Sequence, residues 1–109
     1  MDSNLRAKIE SAHAELAKAR NALFETKDRA IEAKEDLNSS IIALYQTNRV
    51  EGKNDKEREA SIKVQTLSER TALSEAEFDE RVDILKLELA LDERRLWEDM
   101  IRIEELDVA

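Results

Sequence analysis

The chain of 109 residues has no proline, no cysteine and one glycine, Gly52. Without proline, nothing removes a backbone donor or clashes with the preceding turn, so long helices meet no covalent obstacle. Without cysteine there is no disulfide framework and no thiolate metal site, which fits a reducing compartment. Aromatic side chains are scarce: Phe24, Tyr45, Phe78 and Trp97 are all there are. The longest aliphatic run, Ile41 to Leu44, is four residues, against about 20 for a membrane span. The N-terminal "MDSNLRAKIE" has no apolar core of a secretory signal. A soluble protein of the cytoplasm, with no membrane partner, is expected. Chemistry is equally thin. His13 is the only histidine, no glycine-rich loop could hold phosphate, and no Glu-x-x-His pair offers a carboxylate metal site. No catalytic, cofactor-binding or metal-binding residue is predicted, and the protein is read as non-enzymatic.

Charge and alanine fill the space that the absences leave. Charged residues make up 40% of the chain and apolar ones 41%, a composition typical of long helices and coiled coils. The net charge of −8 is unevenly placed. Residues 1–74 hold 13 acids and 13 bases and cancel, whereas residues 75–109 hold 13 acids and 5 bases, so 5 − 13 = −8. An acidic last third disfavours direct nucleic-acid binding and favours a basic partner.

The first half carries an apolar seam stepping by four then three residues: Leu5, Ile9, Ala12, Leu16, Ala19, Leu23, Thr26, Ala30, Ala33, Leu37, Ser40, Leu44 and Thr47. Such spacing keeps one side of a helix facing a partner. One position of the repeat is mostly bulky and the other mostly small, so a facing helix must supply large residues. In the second half Ala60, Val64, Leu67, Thr71, Ser74 and Phe78 keep the rule. An extra four-residue step reaches Val82, and the pattern resumes through Leu85, Leu89, Leu96 and Ile103. Between the halves, Gly52 can take a left-handed conformation at a helix end. Asn54 followed by Glu57 has the spacing of a capping box. The spacing predicts an all-α single domain, an antiparallel helical hairpin. Helix 1 spans about 3–51, the turn of Gly52, Lys53 and Asn54 spans 52–54, and helix 2 spans about 55–107. Each helix would be about 75 Å long. Residue i would face residue 106 − i, and capping signals at 36–41 and 74–77 leave open a break in either rod.

Ile84, Leu87 and Leu91 lie opposite the second-half seam, and a helix apolar on two sides needs two partners. Phe24 and Ile31, with Tyr45, are displaced from their seam, and Trp97 and Ile101 extend the surface near the open end. A two-helix hairpin buries little core, so these residues predict a homodimer built as a four-helix bundle, or a face for a target. Glu88, Asp92, Asp99 and Glu104 form a candidate acidic surface. Arg6, His13, Arg20, Lys27 and Lys34 recur every seven residues as a cationic column. Pairing of that column with Asp92 and Asp99 across the hairpin is favoured over a phosphate-tracking role.

The segment from Gly52 onward, through Gly52, Lys53, Asn54, Arg58, Glu59 and Ala60, resembles small bacteriophage and prophage helical-hairpin proteins. These carry a "GKN…RE-A" turn before a long helix rich in Glu, Leu and Arg. Trp97 and the added acids depart from that pattern. The resemblance covers about half the chain and implies a phage origin without an established activity. The function expected from it is a phage-encoded inhibitor or modulator of a host nucleic-acid-processing or defence complex, such as a nuclease inhibitor or an anti-CRISPR protein. It would bind a host protein through the acidic helical surface, in the bacterial cytoplasm. The alternatives are a structural coiled-coil adaptor and an accessory to phage DNA recombination or replication.

Overall fold

The structure, a computed structural model, describes residues 3–108. They form three helices: α1 (Ser3–Gln46), α2 (Asp55–Gln65) and α3 (Leu67–Val108). They group into two compact units, one from the chain up to Glu25 and from Arg81 onward, the other from Thr26–Glu80. In each unit the stretch of α1 runs antiparallel to its partner from the second half. The arrangement is all-α and hairpin-like.

α1 stops at Gln46, five residues before the expected end, and the terminator is Asn48 (φ 56°) rather than Gly52. Arg49 N donates to Leu44 O (2.8 Å) and Asn48 N donates to Tyr45 O (3.2 Å). These two bonds are the Schellman pair that closes a helix on a left-handed residue, and asparagine tolerates that conformation better than most side chains. Neither internal capping signal breaks a helix: α1 runs through 36–41 and α3 through 74–77.

The connection is eight residues long, and it lies along α2 as a strap. Gln65 Nε2 donates to Arg49 O (2.7 Å), Glu51 N to Ser61 Oγ (3.2 Å), and Arg58 Nε to Gly52 O (3.3 Å). Glu57, Ser61 and Gln65 are four apart and share one helix face, so the strap climbs that face towards the start of α2. Asn54 caps α2, its Oδ1 accepting from Glu57 N at 2.9 Å. Glu57 returns the contact one residue early, its Oε2 accepting from Lys53 N at 2.7 Å. Gly52 is needed twice over. Its φ is +140°, and an added Cβ would sit 2.7 Å from Arg58 N and from Glu57 Cβ.

The second half is interrupted at Thr66, where ψ is 22°. Its Oγ1 donates to Ile62 O (2.6 Å), the same carbonyl that accepts from Thr66 N (2.9 Å). A hydroxyl that competes for the i−4 carbonyl bends a helix at that point. Arg70 Nε donates to Thr66 Oγ1 at 3.0 Å, so the 1% exposed threonine is satisfied.

The face that the second half turns towards α1 differs from the one the spacing predicts. In the unit of residues 26–80 the covered positions are Ile62, Thr66, Glu69, Leu73, Ala76 and Glu80. In the other unit they are Asp83, Leu87, Ala90, Arg94, Trp97, Ile101 and Glu104. Within each unit these positions step strictly by four and three. The expected seam is outside: Val64 is 77% exposed, Leu67 65%, Leu85 59% and Leu89 69%. The two stripes are about two residues apart in phase, or about 200° around a helix. The strap accounts for the choice. It occupies the 57–61–65 face of α2, and the adjoining face, with Ile62 and Thr66, is the one that is buried.

On α1 the predicted seam holds. Ala12, Leu16 and Leu23 are buried in one unit, and Thr26, Ala30 and Leu37 in the other. The facing register differs: Ser40 meets Glu69, with Oγ 3.4 Å from Oε1, rather than the neighbourhood of residue 66 that 106 − i gives.

Candidate interaction surface

The outer face of α3 in the first unit is built from two interleaved series. Leu89, Leu96 and Ile103 recur every seven residues and are 69%, 54% and 57% exposed. Leu85, Asp92 and Asp99 form the second series, offset by three or four. Both aspartates lean on arginines of their own helix, Asp92 on Arg95 (3.9 Å) and Asp99 on Arg102 (4.0 Å). Exposed pairs of this kind contribute about 0–1 kcal/mol. The expected cross-hairpin pairing does not form: among the described residues neither aspartate reaches His13 or Arg6. The cationic column Arg6, His13, Arg20, Lys27 and Lys34 is exposed along its length.

The predicted interface residues divide. Phe24 (70% exposed) and Ile31 (57%) lie outside, as does Tyr45 (55%). Leu87, Leu91, Trp97 and Ile101 are part-buried within the first unit, and Ile84 sits at the edge at 36%. The face read as free is the covered one, because the register turns α3 by half a rotation. Trp97 is held by Lys8, whose Nζ lies 4.6 Å from the ring centroid, a cation–π contact. Glu88, Asp92 and Asp99 are exposed, whereas Glu104 is drawn into the covered seam. Ile42 on α1, to which the sequence pattern assigned no role, and Leu85, Leu89, Leu96 and Ile103 on α3, which it assigned to the covered seam, join the exposed set. The signal that could have found them is the parallel 4-3 series through Thr66, Glu69, Glu80 and Arg94, hidden because so many of its members are polar.

A separate groove of about 380 Å³ lies in the second unit, over Ala33, Ala72 and Ala76, whose small side chains leave the space. Its rim carries Glu32, Asp36, Glu69, Glu75 and Asp79 against the single cation Arg29. Among the described residues, no group of three or more His, Asp or Glu side chains is arranged to hold a metal ion. No described helix is long and apolar enough to cross a membrane. Comparisons with protein-family models, curated proteins and solved structures give no match for this chain.

Proposed function

We propose that this protein is a non-enzymatic helical binding module whose working surface is the outer face of α3, and that it associates with itself as a four-helix bundle. The observation that carries this reading is the stripe of Leu85, Leu89, Leu96 and Ile103, each more than half exposed. The more apolar side of the helix faces away from α1, while the covered side holds Asp83, Arg94 and Glu104. Large apolar stripes on a soluble chain mark interfaces. Leu89→Glu with Leu96→Glu tests the reading by light scattering. The expected result is loss of the dimer with helicity by circular dichroism retained, since both side chains are more than half exposed. A variant that self-associates as the wild type does would contradict it.

A second reading is favoured by the carboxylate-rimmed groove of the second unit. In it the chain is a phage-encoded inhibitor or modulator that engages a basic surface of a host nucleic-acid-processing or defence complex in the bacterial cytoplasm. Five carboxylates around one arginine create a field that attracts a cationic partner. Reversing Asp36, Glu75 and Asp79 to lysine should abolish inhibition of a purified host nuclease complex while leaving self-association intact. Undiminished inhibition would remove the electrostatic mechanism.

A further inference from the structure

We propose that the outer face of α3 in one copy docks on the outer face of α1 in a second copy, with Asp92 and Asp99 seated against Lys27 and Lys34. This rests on the self-association reading and specifies which faces meet. The α3 stripe in the first unit reads Leu89, Asp92, Leu96, Asp99, Ile103, with carboxylates seven residues apart between exposed apolar side chains. The α1 stretch in the second unit offers the converse. Lys27 and Lys34 are seven apart and exposed, with Ile31, 57% exposed, between them. Phe24 lies one heptad before Ile31 on the same helix.

The alternatives within a dimer match poorly. Two α3 stripes laid parallel would bring Asp92 to Asp92 and Asp99 to Asp99, placing like charges together as water is excluded. Laid antiparallel, with the two series facing each other, they would set aspartates against leucines. Two α1 stripes would oppose lysine to lysine when parallel and lysine to Ile31 when antiparallel. In the mixed pair Asp92, Leu96 and Asp99 meet Lys27, Ile31 and Lys34, charge against charge and apolar against apolar, with Asn38 opposite Ile103. The lysine stems add aliphatic cover while their ammonium groups reach the carboxylates. The intrahelical contacts of Asp92 and Asp99, at 3.9 and 4.0 Å and with the aspartates 72% and 57% exposed, are loose enough to give way.

Two double variants test the pairing, D92K/D99K and K27E/K34E, followed by sedimentation velocity with circular dichroism confirming helicity. In a homodimer of the first, lysines face lysines; in the second, aspartates face glutamates. Each alone should dimerise at least about tenfold more weakly than the wild type. Mixed in equal amounts, the lysines of one variant face the acids of the other at this contact and a one-to-one heterodimer should form. Folded variants that each dimerise like the wild type would overturn the pairing and leave self-association standing. A mixture that remains monomeric would overturn it as well. A wild-type chain that is itself monomeric would overturn both the pairing and the reading it rests on.

Discussion

At the residue scale, two positions with positive φ set the connection, and they fail differently when changed. Gly52 combines φ +140° with backbone and side-chain atoms 2.7 Å from where a Cβ would stand. Gly52→Ala should therefore cost about 1–3 kcal/mol in urea unfolding; an unchanged midpoint would mean that the strap is not held against α2. Asn48, at φ 56°, has only the left-handed requirement. Asn48→Gly should be neutral within about 0.5 kcal/mol or slightly stabilising, whereas Asn48→Val should lower stability because a β-branched residue resists that conformation. The N-cap at Asn54 was legible from its three-residue spacing to Glu57. The role of Asn48 was not. A lone glycine in a chain without proline draws attention as the helix terminator, yet asparagine can close a Schellman turn equally well, and only the Arg49–Leu44 bond shows that it does.

At the scale of elements, period and phase proved separable. The 4-3 spacing of α1 identified its covered side correctly because the opposite side carries so many charges. In the second half two stripes share the same period, and the more apolar one was the natural choice. The covered stripe is the other, with Thr66, Glu69, Glu80 and Arg94 among its members, and nothing in hydropathy selects it. The eight-residue strap does, by fixing which face of α2 adjoins α1. The difference can be measured. Leu16→Ala or Leu23→Ala removes a buried side chain and should cost about 2–5 kcal/mol. Leu89→Ala should leave the unfolding midpoint almost unchanged at concentrations where the chain is monomeric. Equal losses at both positions would mean that Leu89, rather than Leu87 and Ala90, faces α1. Thr66→Ala removes the hydroxyl that competes for the Ile62 carbonyl and releases Arg70. The segment around 66 should then become more regular, seen as slower amide exchange at residues 65–68.

At the scale of the whole molecule, the described residues bury seven apolar side chains, three of them alanine, and leave fourteen larger ones at least 36% exposed. A partner that covered the remainder would stabilise such a chain, and linkage would make that visible. If the partner is a second copy, the melting temperature must rise with protein concentration. A melting temperature constant over a hundredfold range (about two decades) would speak against self-association. The expectation of a second apolar surface was present in the sequence even though its members were exchanged. Leu87 and Leu91 pack inward, and Leu85, Leu89, Leu96 and Ile103 take the outer place. The measurement that bears most directly on self-association is the mass of the wild-type chain by sedimentation equilibrium at neutral pH. A dimer through the outer face of α3 has twice the single-chain mass of 12.5 kDa, falling to the single-chain value in Leu89→Glu/Leu96→Glu. A wild-type mass of one chain at every loading concentration would contradict it.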